Sequence, residues 1–504
     1  MFTEYVERIL KARVYDVAIE TPLDEMTRLS SRLNNTLWLK REDLQPVFSF
    51  KLRGAYNRMT HLSNEERQQG VMAASAGNHA QGVALSAKKM GISALIVMPK
   101  TTPAIKLEAV KAFGAEIVLH GNNYDDACTY ALKLAKQQGR TFIHPYDDPE
   151  VIAGQGTIAM EIMRQHPGPI YAVFVPVGGG GLIAGVAAYI KSFWPEIKII
   201  GVEPDDAACL KVALEQDKRV ELEHVGLFAD GTAVRQVGEE PFRIARQAVD
   251  EVITVDSDEL CAAIMDIFDD TRSIAEPSGA LAVAGAKKYI ACKQITNEQL
   301  VVIDSGANIN FDRLRHVAER AELGERREVL FATTIDEKPG SFQRFCQTLS
   351  DRGITEFNYR YADSAEAQVF VGLRINGGDE EREALFASLD AAEYQWTDFS
   401  DNEMAKLHIR YMVGGHAPQV DNERIYRFEF PERPGALLRF LTRMGQRWNI
   451  SLFHYRNHGA AYGRVLLGVQ VSNDEQDDFI RFLDELGYNY WQETDNPAYE
   501  LFLK

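Results

Sequence analysis

The sequence predicts an α/β fold, a body built on a largely parallel sheet and followed by two tandem α+β modules. Two observations carry this. From about Thr21 to Asn310, short apolar, β-branched runs alternate with longer stretches of helical spacing, the pattern of strands and helices in βαβ succession. Beyond the charged stretch RHVAERAELGERRE (315–328) the chain repeats itself. At 504 residues it also exceeds what one hydrophobic core fills, so several domains are expected.

Within the body, ISALIVMP (92–99) reads as a strand ended by Pro99, and Thr102 to Phe113 follows at helical spacing. AEIVLH (115–120) is the next strand, and Tyr124 to about Gln138 the next helix. YAVFVPVG (171–178), IKIIGVEP (197–204) and LVVID (300–304) are further strands, each closed by Pro, Gly or a turn. Such near-continuous apolar runs suit strands buried on both faces. Ligands in such sheets sit beyond the carboxyl ends of the strands. The repeat aligns residues 335–360 with 430–456. Glu337, Pro339, Gly340, Arg344 and Phe345 match Glu432, Pro434, Gly435, Arg439 and Phe440. After one inserted residue, Ile354, Phe357, Tyr359 and Arg360 match Ile450, Phe453, Tyr455 and Arg456. Each copy reads strand, Pro-Gly turn, helix, strand, strand. Phe342, Phe345, Cys346 and Leu349 form one buried helical stripe.

Composition narrows the function. The 73 acidic against 55 basic residues leave −18, which argues against nucleic acid or an anionic membrane as main partner. Five scattered cysteines without a C-x-x-C pair make neither a disulfide framework nor a zinc site. Pro167 to Ile190 carries no charge and is long enough to span a bilayer. Four consecutive glycines at its centre favour strand, loop and helix instead. The first residues, of mixed charge, do not read as a secretory signal, and a reduced, cytoplasmic location is expected.

Four loops carry residues of chemical interest. SFKLRGAYNRM (49–59) sets Lys51 behind the aromatic Phe50, and a lysine in an apolar setting yields a free amine able to form a Schiff base. Most lysines are solvated charges, so Lys51 alone is a weak signal. SAGNHAQG (75–82) opens a helix. Its backbone N–H groups suit a carboxylate and Asn78 a phenolic or carbonyl oxygen, while a plain helix cap at Ser75 or Asn78 explains it equally. VGGGGLIAGV (177–186) follows a strand and opens a helix, as a phosphate loop does. Gly179, Gly181, Ala184 and the later Glu203 also fit a dinucleotide fingerprint. DSGANIN (304–310) ends a strand, so Ser305 faces the ligand crevice, or merely closes a turn.

In order and wording, these four loops resemble the pyridoxal-phosphate enzymes of the tryptophan-synthase-β type, and REDLQPVFSFKLRGAYN (41–57) is similar to threonine dehydratases. The resemblance implies a two-lobed body of fold type II over residues 1–325, a smaller lobe of about 45–150 inserted in it, and ACT-like modules over 329–400 and 422–493. It implies pyridoxal 5′-phosphate held covalently by Lys51, packed by Phe50 and bonded through its ring oxygen to Asn78. Gly178, Gly179, Gly180, Gly181 and Leu182 would hold the phosphate, Ser305 the ring nitrogen. Ser75, Ala76, Gly77 and His79 would receive the substrate. Some relatives bind a divalent cation beside a stretch like VEPDDAAC (202–209). Cys209 stands where a second carboxylate is expected, so no metal is assigned. Glu276 is left open between a substrate-side carboxylate and a buried residue at a helix start.

The resemblance further implies elimination of water and ammonia from L-threonine, opening isoleucine biosynthesis. Isoleucine would inhibit and valine activate a homotetramer through the tail, with Tyr359 and Tyr455 as candidate contacts; ordinary strand packing explains these tyrosines as well. A serine-preferring dehydratase is the sibling reading. A nucleotide-binding dehydrogenase with a binding-only tail is the alternative from another class, and it leaves Lys51, Asn78 and Ser305 without roles.

Overall fold

The computed structural model describes the chain except residues 1, 167, 312, 339, 351, 361–365, 376–377, 403–404, 407–408, 413, 416, 418–419, 432–435, 445–446, 457–461, 497–498, 500–502 and 504. Of residues 360, 429–431, 436, 456 and 462–464 only the backbone is described. Two compact units divide it, Met1–Ala321 and Glu322–Lys504.

In the first unit β1 (Leu23–Glu25) and β2 (Thr36–Arg41) lead into a four-stranded parallel sheet of β3 (Val71–Ala74), β4 (Ala94–Met98), β5 (Glu116–Leu119) and β6 (Thr141–Phe142). Its order is β5-β4-β3-β6. The chain then returns to the first sheet as β7 (Ala172–Pro176), β8 (Lys198–Pro204), β9 (Glu251–Val255) and β10 (Gln299–Asp304), in the order β1-β2-β10-β7-β8-β9. All its neighbours run parallel except β1 on β2. The smaller sheet is thus inserted between β2 and β7, giving the two lobes of fold type II. Alternation explains the unbroken apolar strands. Val173 and Val175 of β7 enter one core with Val301 and Ile303 of β10, while Ala172, Phe174, Leu300 and Val302 enter the core on the opposite face. Neither face meets water, so no polar period survives. The uncharged stretch from 168 to 190 becomes β7, a glycine turn and the Gly181–Phe193 helix. Among the described residues no helix is long and apolar enough to cross a membrane.

The second unit is one antiparallel sheet of eight strands. These are β11 (Glu328–Asp336), β12 (Ile354–Arg360), β13 (Glu366–Arg374), β14 (Trp396–Asp398), β15 (Glu423–Pro431), β16 (Asn449–Arg456), β17 (Tyr462–Gln470) and β18 (Asn489–Gln492). The order β14-β11-β13-β12-β16-β17-β15-β18 sets the two repeats side by side as mirror-ordered halves. They join at β12 and β16, where Phe357 pairs with Tyr455 and Tyr359 with Phe453. Each residue thus faces the repeat-equivalent of its partner's place, the signature of a local two-fold axis. Both copies also carry a second helix and a fourth strand, Gly378–Ala391 with β14 and Gln476–Leu486 with β18. Of the Pro-Gly turns, Pro339, Glu432, Pro434 and Gly435 lie outside the described residues.

Candidate active site

Lys51 is the first residue of the Lys51–Thr60 helix, and three neighbours fix that helix. Backbone pairing places its start against the end of β10. Ala307 donates to the Phe48 carbonyl (2.9 Å) and Phe50 to the Ser305 carbonyl (3.3 Å). On one flank it meets the Pro149–Gln165 helix at a glycine crossing, since a Cβ on Gly154 would lie 2.7 Å from the Gly54 Cα. On another it meets the Asn78–Met90 helix, where a Cβ on Gly82 would lie 3.1 Å from the Leu52 Cα. Arg53 adds a buried clamp. Its guanidinium bonds Glu42 (2.8 Å) and Glu161 (2.5 Å), and Lys40 also reaches Glu161 (2.6 Å), all four side chains being fully buried. Two cations against two carboxylates leave no net charge inside.

A cleft of about 480 Å³ opens in front of Lys51. Phe50, Asn78, Gly178 to Gly181, Leu182 and Ser305 line it, so eight of the sequence-predicted positions converge there with the lysine. Among the described residues Lys51 Nζ makes no hydrogen bond; it stands 5.5 Å from the Phe50 ring centroid. Burial pushes its ammonium down to about 8, against the opposing pull of Glu276. The glycines are sterically required. A Cβ on Gly179 would sit 2.2 Å from the Tyr146 ring, and Gly180 has φ +90. No side chain caps the Gly181–Phe193 helix, so its first N–H groups and positive end face the cleft, as an anionic phosphate requires. Ser305 Oγ donates to the Ser278 carbonyl at 3.3 Å; a hydroxyl rotates freely enough to serve a ring nitrogen instead. The donor set fits pyridoxal phosphate.

The substrate positions divide. Gly77 lines an adjoining cavity of about 1120 Å³ together with Lys106 and Asn308. Ser75 Oγ accepts from Gly77 N (3.2 Å), which shapes the turn into the helix; neither Ser75 nor Ala76 lines either cavity. His79 is corrected. Its imidazole is 3% exposed, lines neither cavity, and donates Nε2–H to the Ile143 carbonyl at 2.8 Å. Burial lowers it to about 3, leaving it neutral. One residue beyond Asn78, the helix simply turns it inward. Glu203 accepts from Leu210 N (2.8 Å) and Lys211 N (2.9 Å), and Cys209 Sγ approaches the Gly178 carbonyl (3.4 Å). Tyr146, Thr232, Ser278 and Glu276 also line the cleft. Only the last drew attention in the sequence, because the others lie in stretches without a motif.

In the second unit, a cleft of about 380 Å³ lies between the repeats, with Glu337, Tyr359 and Trp448 in its wall. The Tyr359 hydroxyl donates to Glu337 at 2.6 Å. Tyr455 is half-buried and packs on the shared core, away from this cleft. Glu432, the repeat-equivalent of Glu337, lies outside the described residues.

Residues 14–306 match the family described as pyridoxal-phosphate dependent enzyme. Residues 319–409 and 414–503 each match the C-terminal regulatory domain of threonine dehydratase. The chain belongs to the threonine dehydratase family. It is 58% identical to L-threonine dehydratase biosynthetic IlvA of Burkholderia multivorans over 99% of both chains. Against the protein of that name from Escherichia coli it is 55% identical over 99% of this chain and 97% of that one. The processed form of threonine deaminase isoform 2 from Solanum lycopersicum has a similar structure, with TM-score 0.62 and 52% identity, covering 64% of this chain and 93% of that one. Membership of this family makes the chain a pyridoxal-phosphate-dependent ammonia-lyase.

Proposed function

We infer that the chain converts L-threonine to 2-oxobutanoate and ammonia, the reaction that feeds isoleucine synthesis. The observation that carries this is the Lys51 amine, lowered towards neutrality and facing an uncapped helix end across one cleft. When bound, pyridoxal phosphate supplies the electron sink that stabilises negative charge at the substrate α-carbon. Lys51 would hold the cofactor, and its free amine would be the base placed to take the substrate α-proton. The N–H groups of Gly178 to Leu182 would hold the phosphate, and Phe50 would pack the ring. Asn78 would donate to the ring oxygen and Ser305 to the ring nitrogen. A neutral Ser305 hydroxyl would offer that nitrogen a hydrogen bond without a counter-charge, which suits loss of the β-hydroxyl over transamination. The backbone of Ser75, Ala76, Gly77 and His79 would receive the substrate carboxylate.

The test is direct. Borohydride should bleach the cofactor band of the yellow enzyme and fix label at Lys51, and Lys51→Ala should lower ammonia release from threonine by at least about a hundredfold. A colourless protein that binds nicotinamide nucleotide would sink the reading. Serine should be a slower substrate, since one methyl group in a pocket is worth only about 1–3 kcal/mol. Specificity constants for both amino acids measure this.

The second unit is assigned to regulation, with isoleucine inhibiting and valine activating a cytoplasmic homotetramer. The domains are taken as 1–325, 329–400 and 422–493. The cleft beside Tyr359 supports this reading: Glu337 suits an ammonium group and the apolar wall an aliphatic side chain. Tyr455 is kept as a second contact in the equivalent place of the other repeat.

A further inference from the structure

Asn78, Glu276 and Asn308 arrive from three separate elements and close a ring of hydrogen bonds. Asn78 Nδ2 donates to Glu276 Oε1 at 2.6 Å. Asn308 Nδ2 donates to Asn78 Oδ1 at 2.7 Å, and its backbone N–H to Glu276 Oε2 at 3.1 Å. Glu276 stands at the N-cap of the Pro277–Lys293 helix, yet its side chain makes no capping bond. It turns into the cleft instead, 4% exposed. The backbone makes room for it: a Cβ on Gly306 would lie 3.0 Å from Glu276 Oε1 and one on Gly231 3.4 Å.

This ring admits one orientation of the Asn78 amide. Reversing it would face Oδ1 to the Glu276 carboxylate and Nδ2 to the Asn308 amide nitrogen, an acceptor against an acceptor and a donor against a donor. In the observed orientation one Nδ2–H is taken by Glu276, and the second is left for the cleft that Lys51 shares. We propose that Glu276 and Asn308 are positioning residues that lock the Asn78 amide so that it presents an N–H, never its oxygen, to the ring oxygen of pyridoxal phosphate. This rests on the reading that Asn78 faces that oxygen. The bond that Asn78 Oδ1 accepts from Asn308 Nδ2 polarises the Asn78 amide, as bonds in a chain do, and so strengthens the N–H that is left for the ring oxygen.

The experiment is a double-mutant cycle read on cofactor binding. The full chain, stripped of cofactor, is titrated with pyridoxal phosphate by fluorescence, and the absorption of the reconstituted holoenzyme is followed with pH. Asn78→Ala and Glu276→Ala should each weaken binding about tenfold, the scale of a bond to a charged partner. The double variant should bind no more weakly than Asn78→Ala alone. Glu276→Gln, which keeps one acceptor, should recover part of the loss. Asn308→Ala should shift the pH response of the band in the same direction as Glu276→Ala. Additive losses in the double variant would mean that Glu276 acts independently of Asn78, which overturns the proposal. Unchanged affinity and spectrum in Asn78→Ala would remove the underlying reading as well, and so identify which of the two failed.

Discussion

A carboxyl group placed like Glu276 titrates in the working range of the protein. Burial and the nearby Asp230 push it up to about 7, while Asn78, Lys106 and the Asn308 N–H pull the other way. Lys51 faces it across the cleft. Because the folded chain holds this proton more tightly than the unfolded one, the stability it contributes is full below about 4.5 and is lost as pH rises through about 7. Thermal unfolding of cofactor-free chain between pH 5 and 8 should therefore lose on the order of 2–3 kcal/mol from this group. Glu276→Gln should flatten that slope; an equal slope in both proteins rejects the assignment. Residues in contiguous motifs were legible in the sequence. Lys51, Asn78, the glycines and Ser305 each sit where a strand or helix ends, and one local pattern names both the residue and its exposure. Tyr146, Thr232 and Asn308 reach the site only through the fold. The burial of the His79 side chain was not legible, because a motif does not state which side of a helix its second residue faces.

Among the elements, the Lys51–Thr60 helix depends most on close contact. Adding one methyl by Gly154→Ala would force it away from the Pro149–Gln165 helix, where backbone already meets backbone. Such overpacking costs about 1–3 kcal/mol, and here it should also loosen cofactor retention, measurable by dialysis. Arg53→Met should cost more, about 3–5 kcal/mol by denaturant unfolding, since Glu42 would remain buried without a cation and Glu161 would keep Lys40 alone. Strands β4, β7, β8 and β10 were readable because burial on both faces writes uninterrupted apolar runs. Strands β6 and β14, of two and three residues, carry too few positions to show a period. The repeat predicted two modules. It did not predict their fusion into one sheet, because pairing between edge strands is written in the backbone.

For the whole molecule, separate compaction of Met1–Ala321 and Glu322–Lys504 has a functional consequence. A chain ending at residue 321 should fold, bind pyridoxal phosphate and dehydrate threonine, and its rate should be indifferent to isoleucine and valine. Comparing initial rates with and without each amino acid checks this. A response to isoleucine in the shortened chain would move the effector site into the catalytic unit.

The seam between β12 and β16 also limits how such a tail is inherited. Each repeat alone is a four-stranded sheet whose inner strand covers its N–H and C=O groups only by meeting its duplicate. Halving the tail does not yield half a sensor. It yields an adhesive edge, with Phe357 and Tyr359 on a strand open to any neighbouring chain. A chain stopped near residue 421 should therefore form concentration-dependent aggregates by light scattering, while one stopped at 321 stays dispersed. A single copy leaves that edge uncovered, so the second copy contributes to solubility as well as to any sensing.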